Sequence, residues 1–502
     1  MASRIRTGLC AALLAAPTAL AFFSGGFFDE PRLWAAVLVW AGLALALATG
    51  AEPLPASRSG RACLAGLAGL TALTAVSMAW APVRDWALAD AERLLLYLGC
   101  LLAGVALLRE RGAQRALEPA LAVGVLVVVG YGVAGRLLPE LVDAERSVRA
   151  GTRLDQPLTY WNAMGALAAM GAILALRVSS DATRGRLLRV GAAGAMPVLI
   201  LGLYLTLSRG ALAALAAGLV ALVVLAGARR TAESALVALV TGGLAVAAVT
   251  RFPAVETLNG GSASAQGPAM LAILVALVAA AALAQARLVS AEDAGRPPLG
   301  RRPALAVAAL VALAVCAAAL ATVVPAAGDE SDKSQQAQSA ADPGSLPGGR
   351  ARLRTLETNR LTYWDVALGA VDEAPLQGRG SGGFATLWLE RRTLDEGVHD
   401  AHSIYIETLV ELGIAGLCLL ALFVAGAVAA ARALRADSEG RELSAGWLAA
   451  GVVFLVHAGL DWDWEMPAVG LVFILVVAAT LAARDALEPP RTASGPRSAG
   501  AT

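Results

Sequence analysis

Charge, histidine and cysteine are all scarce in this chain, and each shortage removes a class of function. Charged residues make up 16% of 502 positions against 58% hydrophobic ones, and mean hydropathy is +0.66. A soluble globular protein does not have this balance, so the fold class expected is an all-α polytopic membrane protein. A net charge of +1 gives no case for nucleic-acid binding. Lys333 is the sole lysine, so basic chemistry here means arginine, and the three histidines, His399, His402 and His457, are few enough to weigh one by one. Cys10, Cys63, Cys100, Cys316 and Cys418 all fall in apolar runs without pairing or metal-ligand spacing. They read as small buried hydrophobes, with no disulfide and no metal site expected. There is no Walker-type phosphate loop, dinucleotide fingerprint, zincin motif or visible repeat.

What the chain has instead is apolar runs. A bilayer core takes about 20 apolar residues per helix, and the sequence supplies fourteen candidates, eleven within 1–325 and three within 404–486. Arg4 and Arg6 ahead of the first run also fit a cleaved signal peptide, but further spans follow at once, and the segment is kept as the first helix. The gaps then alternate. With a cytoplasmic N-terminus, every inside gap is arginine-rich, among them Arg58/Arg61, Arg109/Arg111/Arg115, Arg177/Arg184/Arg186/Arg189, Arg229/Arg230 and Arg432/Arg435/Arg441. The outside gaps hold the acidic, aromatic and glycine-rich sequence. By the positive-inside rule both termini are expected to be cytoplasmic and the tail 487–502 disordered there.

The longest outside gap, 326–403, is organised in two parts. Residues 328–349 are rich in Asp, Ser, Gln, Pro and Gly and are expected to be flexible. From Arg350 onward, apolar residues return at helical spacing. Leu361, Trp364, Leu368 and Val371 mark one face of a helix on the membrane surface, with Asn359 as its cap. A glycine run follows at 378–383, which is either a turn or a cradle for an anion. Then Asp400 opens a helix that puts Ser403, Glu407 and Glu411 on one stripe and stops at Gly413.

A charged side chain at a membrane boundary needs a reason. Arg209, in Leu205-Thr-Leu-Ser-Arg-Gly-Ala-Leu212, has apolar helix on both sides. It either snorkels to headgroups or contacts an anion, since a guanidinium matches phosphate oxygens in pairs. Arg360 either stacks on Trp364 or does the same. Arg153 precedes Tyr160-Trp-Asn162 in a loop that carries arginine freely. His402 lies between an acidic residue and an aromatic helix, where an imidazole can take a proton, or else make a packing hydrogen bond. His399 reads as a solvated loop residue. His457 precedes Asp461-Trp-Asp-Trp-Glu-Met-Pro467, in which Asp461 either orients a histidine, binds a sugar hydroxyl or marks an ordinary acidic turn. Asp400, Asp461, Asp463 and Glu465 have no fixed ligand spacing for a divalent cation.

These residues carry a resemblance. Leu207-Ser-Arg-Gly210, Arg360-x-x-Tyr-Trp364 with Pro375 and Gly378-x-Gly380-x-Gly-Gly-Phe384, and Ala401-His402-Ser-x-Tyr405-x-x-x-Leu409-x-Glu-Leu-Gly413-x-x-Gly416 stand together in an order and spacing similar to the O-antigen ligase and polymerase family of bacterial envelope enzymes. The resemblance implies a GT-C-like glycosyltransferase of the bacterial cytoplasmic (inner) membrane. Its donor would be an oligosaccharide on a polyprenyl diphosphate, with the prenyl tail among the helices and membrane lipids. Its acceptor would be a hydroxyl of a glycan, lipid or protein on the outer face. No cofactor or nucleotide sugar is implied, and for ligases no metal. By motif, the family's essential arginines map onto Arg209 and Arg360 and its loop histidine onto His402. Arg153, Asn162, Trp364 and Asp461 are expected to bind substrate. The chain departs from the family pattern in its greater number of spans and in an insert at 330–349. The competing reading is a transporter or flippase of envelope polysaccharide precursors, which predicts ionisable residues or broken helices near the bilayer midplane.

Overall fold

The structure is a computed structural model, and it describes residues 1–144, 147–258, 262–321 and 359–487. The segment 328–349 and the tail from 488 lie outside the described residues. Among the described residues the chain is helical, without strands. In order the helices are α1 (Ala2–Ala21), α2 (Asp29–Ala48), α3 (Arg58–Ser77), α4 (Arg84–Leu107), α5 (Arg111–Leu137), α6 (Trp161–Ser180), α7 (Arg186–Thr206), α8 (Arg209–Ala226), α9 (Ala228–Val249), the single turn α10 (Pro253–Glu256), α11 (Ala263–Asp293), α12 (Arg301–Ala321), the short α13 (Arg360–Leu368) and α14 (Gly383–Arg391), α15 (Ile404–Leu434), α16 (Ser438–Ala458) and α17 (Pro467–Ala486). Ten of them are long and apolar enough to cross a membrane. The remaining long ones, α1, α4, α12 and α16, match them in length. In α4 the apolar run is interrupted by Asp90, Glu92 and Arg93.

The centre of the bundle is α6 and α17, buried along nearly their whole lengths. Their sequences, rich in Ala, Gly, Val and Leu, leave no charged face to expose, and small residues let helices approach closely where lipid gives no hydrophobic drive. A methyl group at Gly66 would lie 2.3 Å from the Phe423 backbone nitrogen, and one at Gly426 would lie 2.4 Å from that of Cys63. α3 and α15 therefore pack backbone to backbone. Of the cysteines, Cys10, Cys63 and Cys100 are buried as expected, but Cys418 is exposed because its side of α15 faces outward.

The polar segment folds as a small cap with its own core of Tyr363, Ala367, Phe384, Leu387, Trp388, Ala401 and Val410. Two sequence expectations are corrected here. Asn359 makes no capping bond to α13; its side chain donates to Glu396 at 2.7 Å. The packed face of α13 is Tyr363 and Ala367, while Leu361 and Leu368 are 69% and 50% exposed. The small Ala367 allows close approach, and Tyr363 can enter the core because its hydroxyl reaches Glu396 at 2.8 Å.

The cap is keyed into a break in α15. Gly413 has φ 64 and ψ −166, a conformation outside the reach of other residues. The expected stop at Gly413 is thus an interruption, after which the helix resumes. The backbone groups that the break frees are taken up by the glycine run. Arg379 N donates to Val410 O at 3.0 Å and Gly380 N to Glu411 O at 2.8 Å, while Ile414 N donates to Pro375 O at 2.8 Å. A side chain at Gly378 would meet the Glu411 carbonyl carbon at 2.2 Å, so only glycine fits. Irregular backbone in a membrane protein survives where protein satisfies it in this way.

Candidate active site

Four separate stretches of chain meet at one end of the bundle: the start of α6, the turn between α7 and α8, the start of α13, and the loop between α16 and α17. Their common point is Asp461, which is fully buried. Its Oδ2 accepts from Arg360 Nη2 and, at 2.6 Å, from Asn162 Nδ2; its Oδ1 accepts from the Tyr160 hydroxyl at 2.6 Å and the Trp462 backbone N–H at 3.0 Å. Burial raises the Asp461 carboxyl, but Arg360, then His402 and His457, pull it below the ordinary carboxylate range. Burial, then the charge of Asp461, drives the Tyr160 phenol well above its ordinary value, which keeps its proton on the oxygen that donates. Burial lowers the Arg360 guanidinium, yet Asp461 and Tyr160 bring it above its usual value.

Arg209 opens α8 beside this group. A methyl group built on Gly210 would lie 3.2 Å from His457 Nε2 and 4.0 Å from Arg360 Nη1, so the N-terminus of α8 abuts both. Ser208 caps that terminus, accepting from Ala211 N at 3.2 Å. The preceding residue, Leu207, has φ 53, and Thr159 and His402 have φ 67 and 57. Among the described residues only five non-glycine positions have positive φ, and these three adjoin Tyr160 and Arg209 or are themselves site candidates. Such backbone costs of order 1–3 kcal/mol per residue and clusters at functional sites.

His402 sits on the cap next to Tyr363, ring centroids 5.3 Å apart. Its Nδ1 lies 2.8 Å from the Asp400 backbone oxygen. A carbonyl only accepts, so in the neutral ring Nδ1 carries the hydrogen and Nε2 keeps its lone pair. His399 keeps to the loop, pairing with Asp400 at 3.2 Å and meeting the Trp86 ring edge-on. Trp364 donates from its indole to Ala401 O at 3.0 Å, which fixes the residue before His402. It does not stack with Arg360, whose guanidinium is turned to Asp461. Arg153 has its guanidinium 3.6 Å over the Trp161 ring and its Nε donating to Ala150 O at 3.1 Å.

The carboxylate that orients His457 is Asp463, not the Asp461 named for that role in the sequence. His457 Nδ1 bonds the Asp463 carboxylate, both fully buried. His457 Nε2 is buried without a hydrogen-bond partner, on the side facing Gly210. The scarcity of histidine pointed to His457, but spacing alone did not choose between Asp461 and Asp463. The acidic residues considered for a cation go to different partners, Asp461 to Arg360, Asp463 to His457 and Glu465 to Arg93 at 3.2 Å. Among the described residues no group of three or more His, Cys, Asp or Glu is placed to hold a metal ion.

Amides in and beside the glycine run are bonded within the chain: Arg379 N and Gly380 N to Val410 O and Glu411 O, Ser381 N to Ser77 Oγ, and Phe384 N to Glu411 Oε1 at 3.0 Å.

Comparison with curated proteins finds no match. Residues 263–421 match the family model described as O-antigen ligase, a stretch that includes α13, the glycine run, His402 and the first half of α15. Over residues 263–421, then, the chain is similar to the O-antigen ligase family, within a set of helices of which ten are long and apolar enough to cross a membrane.

Proposed function

We propose that this protein is a GT-C-like membrane glycosyltransferase that transfers a glycan from a polyprenyl-diphosphate donor to an acceptor hydroxyl, at the outer face of the bacterial cytoplasmic membrane. The observation that carries the reading is the meeting of Arg360 and the Arg209 terminus of α8 around a buried, fully bonded Asp461. Asp461 aims and preorganises one guanidinium. The α8 N-terminus adds its positive end and amide groups. This arrangement favours negative charge growing on the diphosphate oxygen as the sugar–phosphate bond breaks. An acceptor hydroxyl needs its proton removed, and His402 Nε2 is the lone pair on the cap able to take it. His457 is fully buried and acts on the arginines as a positioning residue, through Asp463. Asn162 and Trp364 position Asp461 and His402 in turn.

The fourteen long helices then act as fourteen spans. The arginine-rich gaps and both termini face the cytoplasm, and the cap faces outward. Purified protein in nanodiscs, given a polyprenyl-diphosphate glycan and a hydroxyl acceptor, should release polyprenyl diphosphate and form product. If wild-type protein moved the donor between leaflets without breaking the sugar–phosphate bond, the flippase reading would replace this one. An impermeant label in intact cells should reach a tag placed within 330–349 and miss the 287–302 gap; the reverse result would invert the topology.

A further inference from the structure

The opposite end of the same helices carries a second polar concavity. α6 runs 20 residues from the Asp461 site, so its C-terminus lies on the order of 30 Å away. An open cavity of about 880 Å³ is found there, lined by Arg177, Arg229, Arg230, Arg301, Arg435 and Arg441. Only two carboxylates, Asp181 and Glu442, share the lining. Asp181 is already engaged by Arg177 and Arg184, both at 3.3 Å. Arg435 and Arg441 spend their donors on backbone carbonyls, including Leu225 O at 2.8 Å and Ala436 O at 3.2 Å. These bonds fix the guanidinium groups without neutralising them. Arg177 is 7% exposed and its Nε has no hydrogen-bond partner. Burial, then the charges of Arg441 and Arg177, hold Arg435 below its ordinary value. The cavity therefore carries a surplus of crowded positive charge.

An apolar crevice of about 430 Å³ adjoins it, between α15, α16 and α17, with Val428, Leu448, Val452 and Phe473 in its walls. The two spaces share Leu225 and Arg435. A soluble anion has a use for the first space only; an amphiphile has a use for both.

We propose that this end of the bundle binds an anionic phospholipid, its phosphate headgroup among the arginines and an acyl chain in the crevice. Basic recesses between membrane helices take phosphate headgroups because guanidinium forks pair with phosphate oxygens, and each arginine near an anionic lipid surface contributes a similar increment. Arg229 and Arg301 suit a test because neither has an internal ion pair among the described residues.

The full chain, purified in mild detergent, is titrated with phosphatidylglycerol or phosphatidylcholine and read by native mass spectrometry. Phosphatidylglycerol should bind selectively. Arg301→Gln should weaken it roughly fivefold, and Arg229→Gln/Arg301→Gln/Arg435→Gln roughly a hundredfold. Val428→Trp, which fills the crevice and leaves every arginine in place, should weaken phosphatidylglycerol without changing the binding of inorganic phosphate. Equal retention of the two lipids, or wild-type retention by the triple variant and by Arg301→Gln alike, overturns the proposal. Full phosphatidylglycerol binding by Val428→Trp, with inorganic phosphate competing at equal concentration, overturns the lipid assignment and leaves a site for a free phosphate.

Discussion

Two buried carboxylate clusters are joined by the same loop, and they are built on opposite principles. Asp461 and Asp463 turn to one side, where Arg360 and His457 meet them and Arg209 and His402 stand close by. Glu465, two residues on, turns to the other side, where Asp90, Glu407 and Glu411 line the same small space with Arg93 as its one guanidinium. Its hydrogen bonds come mostly from the polar segment: Ser381 Oγ to Asp90 at 2.6 Å, Phe384 N to Glu411 at 3.0 Å and Ala401 N to Glu407 at 2.8 Å. Burial holds the Glu465 carboxyl well above the ordinary range against the pull of Arg93. The space among these groups is about 30 Å³, room for a water and not for a sugar. The first cluster sets two guanidinium groups and two imidazoles against two carboxylates, the second one guanidinium against four carboxyl groups. The paired arginines of the first are what the proposed diphosphate donor would meet; the second fastens the cap to the bundle.

The comparison breaks most sharply at Arg360. Arg360→Ala leaves Asp461 buried without its guanidinium, an arrangement that costs about 3–5 kcal/mol, and transfer should be abolished. Arg360→Ala/Asp461→Asn should recover much of the thermal stability in detergent but none of the transfer. Recovery of both would make the pair structural. The sign of the pH effect follows from Asp461. Its folded value lies below its ordinary one, so its stabilisation is present above about pH 3.9 and is lost as pH falls through the folded value. Asp461→Asn should flatten that acid limb in a melting-temperature profile, and an unchanged limb would assign it to other carboxylates.

The two remaining catalytic candidates separate charge from proton transfer. Arg209→Lys keeps the charge and loses the planar fork, and it should fold, reach the membrane and transfer poorly. His402→Ala should transfer about 10²- to 10⁴-fold more slowly, with donor binding retained in a single-turnover assay. Loss of donor binding in His402→Ala would reassign the histidine to substrate positioning.

The helical frame was legible because it needs only composition and length: the fourteen apolar runs fall on long helices among the described residues, ten of which are apolar enough to cross a membrane. The short elements were less so. The stop at Gly413 was readable from glycine alone, but the reason helix resumes beyond it, the docking of 375–380 against the open carbonyls, involves partners some 30 residues away in sequence. The same holds at the site. Motifs proposed Arg209, Arg360 and His402, and Asp461 was named as a substrate contact, but its bonds to Arg360 and Asn162, 101 and 299 residues away, were not readable. Periodicity carries no information at that range. The glycine run, open in the sequence between a turn and an anion cradle, leads into an amide, Phe384 N, that is bonded to the chain's own Glu411 side chain.

That bond predicts the next effect in size. Glu411→Ala removes the acceptor for Phe384 N and should cost about 1–3 kcal/mol of stability, while transfer per folded molecule stays within a few-fold of wild type. Glu411→Gln, which keeps an acceptor oxygen, should be milder on melting. If Glu411→Gln folded normally and lost transfer, the second cluster would join the active site and the division between the two would fail.

The smallest effect is expected at Arg153, where the comparison can be sharpened. Its guanidinium lies over Trp161, and Trp161 packs against Tyr160, the phenol that donates to Asp461. Arg153 therefore reaches the first cluster through two rings. A cation over a partly exposed indole such as Trp161 contributes about 0.5–1 kcal/mol, equivalent to a two- to fivefold change in any equilibrium that depends on it. Arg153→Gln should lower transfer by no more than that, by loosening Tyr160, and the loss should appear mainly in kcat because the donor's diphosphate contacts are unchanged. A large rise in donor KM with kcat preserved would instead place Arg153 on the substrate, extending the cationic surface outward from Arg209 and Arg360.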